Sequence, residues 1–215
     1  MTEEQWLACA DPTAVLCFLR GRASDRKLRL FAVACCRLNR HMLMTDTLAA
    51  LEVAEDFADG RITREERRVA RARAFASSWH PDLEYRHRRG PAKACVTAAL
   101  ARRAFEAASK ASWFAEHTGL WPQEMEERKQ VQAELLRDIF GNPFRPPVPD
   151  RRWITSSVAA AAQSIYGSRR FDRVPELVED LEQAACKDAD LLAHCRREGP
   201  HVRGCWVLDL VLGKQ

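Results

Sequence analysis

The stretch AHCRREGPHVRGCW, Ala193 to Trp206, places His194, Cys195, His201 and Cys205 close together. Imidazole and thiolate are common zinc ligands, four donors forming a tetrahedron at about 2.0–2.3 Å from the ion. On one helix, His201 and Cys205 would share a face one turn apart, and His194 or Cys195 would add a third ligand from the preceding helix. His194 and Cys195 are neighbours in sequence, so on a helix they point about 100° apart. The stretch has no C-x-x-C knuckle. The same residues admit a thiol nucleophile, with Cys205 near a helix start and His201 as its base. They also admit a plain packing element, in which GCWVLDLVLG is an apolar terminal helix and Cys205 and Trp206 pack on the core. No oxyanion donor or orienting carboxylate is identifiable, and G-x-S-x-G and H-E-x-x-H motifs are missing. The sequence therefore favours the packing element, with no catalytic residue and no cofactor. Zinc or a reactive thiol on His194, Cys195, His201 and Cys205 is the alternative.

A second candidate is electrostatic. The chain carries a net charge of +4, but Arg61 to Arg103 holds twelve Lys/Arg against four Asp/Glu, a local +8 that leaves −4 for the rest. Arg64, Arg67, Arg68 and Arg71 recur at helical spacing and form a ridge. EYRHRRGPAK then adds Tyr85, Arg86, Arg88, Arg89 and Lys93. Two basic elements could track a phosphate backbone while a tyrosine stacks a base. Against this, Glu65 and Glu66 interrupt the run, and no recognised nucleic-acid-binding signature is present. Glu124, Glu126 and Glu127, and Glu176, Glu179, Asp180 and Glu182, read as solvated helix faces without histidine partners at metal spacing. The six tryptophans read mainly as core anchors that keep their N–H near a partner.

The elements that must position these residues are helices. Thr2 with Gln5 and Thr63 with Glu66 are capping boxes, and Asp11-Pro12 is an N-cap followed by proline at the first helical position. Leu28, Phe31, Cys35 and Leu38, widened by Leu30, Val33 and Ala34, mark a central buried helix. Gly90-Pro91 is expected to open one long Ala-rich helix from about Ala92 to His117. A last helix is expected over His201 to Leu212. Period-2 alternation of useful length is absent. The expected fold is all-α, a compact array of about nine to ten helices with little or no sheet. Four prolines between Pro143 and Pro149 cannot sit in a helix or a central strand. They divide an N-terminal helical portion (1–142) from a C-terminal one (154–215) by a Pro-rich arm (143–153), pinned by Phe144 and Trp153, the two portions sharing one core.

Composition narrows the class. At 47% hydrophobic and 30% charged residues, the balance is that of a folded globular chain. No apolar run approaches the roughly 20 residues that span a bilayer, and MTEEQWLACADP lacks the basic start of a secretory signal. Eight cysteines without a knuckle, mostly in apolar helical stretches, read as buried thiols in a reducing compartment. The expectation is a cytoplasmic protein.

SDRKLRLFAVACCR, LLRDIFGNPFRP and DLLAHCRREGPHVRGCWVLDLVLGKQ, with the opening EEQWLACADPTAVLCFLRG, span nearly the whole chain. Together they resemble an uncharacterised family of paralogous proteins abundant in planctomycete bacteria. The resemblance implies a bacterial, cytoplasmic protein and carries no activity, cofactor or site residue with it. The functional expectation is a non-enzymatic protein-interaction or accessory module with an unknown protein partner and no membrane. Nucleic-acid binding through residues 61–103 and the C-terminal zinc or thiol site are the rivals.

Overall fold

Local capping chemistry decides where many of the helices begin. The computed structural model describes residues 1–76, 83–118, 121–147, 150 and 152–214, with backbone alone for 83–89. Among these residues there are twelve α-helices, two short 3-10 segments and no strand. The helices are α1 (Glu3–Ala8), α2 (Pro12–Leu19), α3 (Asp25–Arg37), α4 (Thr45–Ala58), α5 (Arg64–Ala76), α6 (Leu83–Ala99), α7 (Ala104–Glu116), α8 (Pro122–Phe140), α9 (Ser156–Ser168), α10 (Leu177–Gln183), α11 (Ala189–Arg196) and α12 (Trp206–Val211). The all-α class is as the periodicity implies, with more and shorter helices. Both capping boxes form: Gln5 N–H donates to Thr2 Oγ1 at 3.2 Å and Glu66 N–H to Thr63 Oγ1 at 3.2 Å. Asp11 accepts from Thr13 N–H at 2.8 Å, so each of these three caps satisfies an amide that would otherwise be orphaned at a helix start. None of the described helices is long and apolar enough to cross a membrane.

The chain divides into two compact units, Ala8–Ala133 with Met1, and Glu134–Gln215 with Thr2–Leu7. In the first, α3 is buried from Leu28 through Cys36, as its broad apolar stripe requires. It packs chiefly on α7, whose inward residues Ala104, Ala107, Ala108, Ala111 and Ala115 are small enough for close helix approach.

Two boundaries differ from the sequence expectation. The helix expected from Ala92 to His117 is broken at residues 100–103, and α6 already begins at Leu83 with Pro91 inside it. No glycine or proline marks the break. Arg29 Nη1 and Nη2 donate to the carbonyls of Ala101 (2.9 Å) and Arg102 (2.7 Å), and Arg67 Nη1 donates to that of Leu100. Two buried guanidiniums thus satisfy carbonyls that the end of a helix leaves open. Both also lie over the Phe57 ring, at 4.8 and 5.1 Å.

In the second unit α9 to α12 enclose a core that includes Trp153, Val158, Ile165, Leu177, Leu181, Leu191 and Leu208. Trp153 is buried, whereas Phe144 is 39% exposed. Gly141 ends α8 with φ +65°, and a Cβ there would meet Trp206 Cγ at 3.1 Å. Glycine is therefore needed both for the left-handed turn and for the approach of the indole. The terminal helix starts only at Trp206, five residues later than expected. Residues 201–205 form a turn, with Gly204 at φ +94° and Cys205 N–H donating to Val202 C=O at 2.9 Å. Arg203 of that turn is buried, its Nε donating to Tyr166 Oη at 3.2 Å.

Candidate metal centre

The turn changes how the His/Cys stretch works. His201 and Cys205 do not share a helix face. The turn folds them toward His194, which stands in the last turn of α11. The fourth member comes from α8: Asp138, fully buried between Leu135, Leu136 and Ile139. Asp138 Oδ1 lies 2.8 Å from His201 Nδ1 and 3.1 Å from His194 Nε2. Cys205 Sγ lies 3.3 Å from His194 Nε2 and 4.0 Å from His201 Nδ1. One donor atom from each of the four residues falls within 4.8 Å of the others. Asp138 Oδ2 accepts from Val202 N–H at 3.0 Å, and Arg197 Nη2 stands 3.7 Å from Oδ1.

Cys195 is not a member. It faces the apolar core of the second unit, where burial pushes its thiol up to about 12. This is the divergence of adjacent helical residues: His194 turns to the cluster and Cys195 to the core. Asp138 is the member that sequence spacing missed, because it lies far upstream and forms no motif with the others. Its signal was local. An acid in the last turn of a helix opposes the helix dipole, and this one is embedded in the apolar run LLRDIF.

The electrostatics follow from burial. Desolvation pushes the Asp138 carboxyl upward, but hydrogen bonds from His194 and His201 and their charges outweigh it and hold it below its ordinary value. Burial lowers His194 despite the neighbouring carboxylate, so this imidazole is neutral near pH 7. Burial raises the Cys205 thiol well above its ordinary value, so without a cation it keeps its proton. The group is a carboxylate, a neutral imidazole, a second imidazole and a thiol, closed off from water except at His194, whose side chain is 9% exposed.

This geometry argues against the nucleophile arrangement. A Cys–His–Asp relay needs the thiol on one ring nitrogen and the carboxylate on the other. Here His194 Nε2 faces both Cys205 Sγ and Asp138 Oδ1. The thiol is also fully buried and protonated, the opposite of an activated cysteine. Four donors each facing the others resemble a coordination polyhedron. A tetrahedral ion with bonds of about 2.0–2.3 Å has donor–donor edges of about 3.3–3.6 Å. Four of the six edges, 2.8, 3.1, 3.3 and 4.0 Å, scatter around that range, and the other two lie within 4.8 Å.

Comparison of the chain with protein-family models, with curated proteins and with solved structures finds no match.

The basic segment is placed differently. Arg67 and Lys93 are buried, so a phosphate backbone does not reach them. Arg64, Arg68 and Arg71 are exposed. Arg68 pairs with Glu65 at 2.5 Å, and Arg71 Nε donates to Thr97 C=O at 3.4 Å. The side chains of Tyr85, Arg86, Arg88 and Arg89 lie outside the described residues. The four-arginine ridge is thus divided: one member points inward onto helix carbonyls and the others line the outside of α5.

Proposed function

We propose that the second unit is a zinc-binding module, with the ion held by Asp138 Oδ1, His194 Nε2, His201 Nδ1 and Cys205 Sγ. The observation that carries this reading is the mutual convergence of one oxygen, two nitrogens and one sulfur in a buried pocket. Mixed imidazole and thiolate donors favour zinc over magnesium or calcium, which take oxygen ligands. Four protein donors leave no open position, so the centre is structural rather than catalytic. It ties α8 and α11 to the turn before α12, and its formation displaces the Cys205 proton.

The test is the zinc-to-protein ratio of chain purified under reducing conditions without chelator. One equivalent is expected, lost in Cys205→Ser and Asp138→Asn and retained in Cys195→Ser. Metal-free wild type that also fails to take up added zinc would sink the reading. So would Cys195→Ser behaving like Cys205→Ser.

A second reading, a protein-interaction module, has its own observation in the first unit. A groove of 640 Å³ is lined by Phe75, Ala94, Ala98, Trp113 and Phe114. Phe75 and Trp113 are 70% and 53% exposed. An apolar aromatic groove of this kind marks association surfaces. Sedimentation velocity over a concentration series tests self-association, which Trp113→Ser should weaken. A concentration-independent monomer would confine this reading to a foreign partner.

A further inference from the structure

Two thiols in the first unit approach each other more closely than separate groups do. Cys36 Sγ on α3 and Cys95 Sγ on α6 are 2.7 Å apart. Non-bonded carbon atoms settle at about 3.5–4.0 Å, and sulfur is the larger atom. A sulfur–sulfur bond is about 2.05 Å long. The pair therefore stands between contact and bond. We infer that Cys36 and Cys95 are the two halves of a disulfide that joins α3 to α6, made as the chain folds and sealed by the packing that follows.

The surroundings single out this pair. Cys35 is the neighbour of Cys36, so on the helix its side chain points about 100° away, and its Sγ faces Gln132 Oε1 at 3.6 Å. Cys95 Sγ donates to Ala111 C=O at 3.3 Å, which directs its hydrogen away from Cys36. The helices that carry the two sulfurs pack on each other and both on α7, so the approach is fixed by the middle of the first unit.

Both thiols are fully buried. Burial, with the contact to Cys95, pushes Cys36 well above its ordinary value. Disulfide exchange needs a thiolate with access to its partner. The folded chain meets neither condition at Cys36, so the bond forms before α3 and α6 close. The oxidant is a low-molecular-weight disulfide of the glutathione type. One cysteine gives its proton to water, and its thiolate attacks a sulfur of that disulfide. The small S–S bond breaks, one small thiolate leaves, and a mixed disulfide remains. The second cysteine, also as thiolate, attacks the protein sulfur of the mixed disulfide and expels the other small thiolate. Two protein thiols are oxidised to one disulfide, and one small disulfide is reduced to two thiols. Once the helices have packed, the sulfurs are equally out of reach of reductants, and the chain keeps the state in which it folded. The bond closes a loop spanning 59 positions that contains α4 and α5. Constraining the unfolded chain in this way raises the melting midpoint by on the order of ten °C.

The test is refolding of the full chain from reduced, denatured protein, once in excess reductant and once in a mixture of oxidised and reduced glutathione. Thiols are then counted by maleimide labelling in denaturant and intact mass. The reduced preparation should label at all eight cysteines, and the oxidised one should lose two labels and melt higher. Tryptic mapping should join residues 30–37 to residues 94–102. Cys35 and Cys36 share the first of these peptides, so variants separate them: Cys35→Ala should keep the link, and Cys36→Ala and Cys95→Ala should abolish it. A water-soluble phosphine should open the bond in denaturant and leave it intact in the native chain. Eight labelled thiols after oxidative refolding would overturn the disulfide, as would a link that survives Cys36→Ala or Cys95→Ala. Reduction as fast in the native chain as in denaturant would overturn the sealing.

Discussion

The sharpest consequence of the proposed metal centre is a stability that depends on free zinc through one carboxylate. An ion that binds only the folded chain adds about 4 kcal/mol when its free concentration is 1,000 times its dissociation constant, and a chain of this length shifts its melting midpoint roughly 2–4 °C per kcal/mol, giving a rise of about 8–16 °C. Asp138→Asn is the perturbation that isolates the ligand from the fold. The amide fills the same volume, and its oxygen still accepts from Val202 N–H, the 3.0 Å contact of the native carboxylate. Charge-assisted bonds to the two imidazoles become neutral ones, a loss of about 1–2 kcal/mol, offset in part because a neutral amide is cheaper to bury than an ion. The metal-free midpoints of wild type and variant should therefore lie close together, while most of the zinc-dependent rise disappears in the variant. Differential scanning fluorimetry against buffered free zinc reads both quantities. Equal zinc-dependent rises in wild type and Asp138→Asn would refute the coordination assigned here, as would a wild-type midpoint that ignores zinc.

Three further outcomes follow from the packing. Arg29→Met should destabilise the chain by about 2–4 kcal/mol in denaturant unfolding, because the carbonyls of Ala101 and Arg102 each lose a buried donor; a loss under about 0.5 kcal/mol would mean that water replaces the guanidinium. Gly141→Ala should cost more than Gly60→Ala. Both positions have positive φ, but a Cβ at Gly60 meets nothing within 4 Å while one at Gly141 meets Trp206 at 3.1 Å; the strain alone is about 1 kcal/mol, and equal midpoint shifts would show that the indole yields freely. In the native state Cys17 is exposed and Cys9 half-buried while the other six thiols are buried. A thiol-reactive dye should therefore label Cys17 first, then Cys9, and the rest only on unfolding; fast labelling of Cys205 in metal-free protein would contradict its burial.

The parts of the fold that were legible in the sequence are those whose cause is local. Thr2 with Gln5, Thr63 with Glu66, and Asp11 before Pro12 act over three residues or fewer, and each forms the bond its spacing implies. The wide stripe of α3 announced its burial for the same reason. The break between α6 and α7 was not legible, because the donors that stabilise it come from Arg29 and Arg67, distant in the chain. At the site, composition alone singled out His194, His201 and Cys205. It kept Cys195 beside them as the alternative to His194, because the divergence of adjacent helical residues says that the two face different ways but not which one faces the cluster. Asp138 was hidden by distance, and the turn at Gly204 by the apolar pattern that follows it, which reads as helix without a pause.

Trp206 gives the centre an optical reporter of its own. Its ring lies 5.1 Å from that of His194, which contacts the proposed ion through Nε2. At that separation a paramagnetic ion such as cobalt(II) in the zinc position would drain the indole's excited state, while diamagnetic zinc would leave it bright. The difference in emission between the native chain and Trp206→Phe then becomes a fluorescence signal tied to one site in a protein with six tryptophans. Cobalt(II) occupancy, and zinc occupancy by competition with it, is then followed by light in dilute solution without labels.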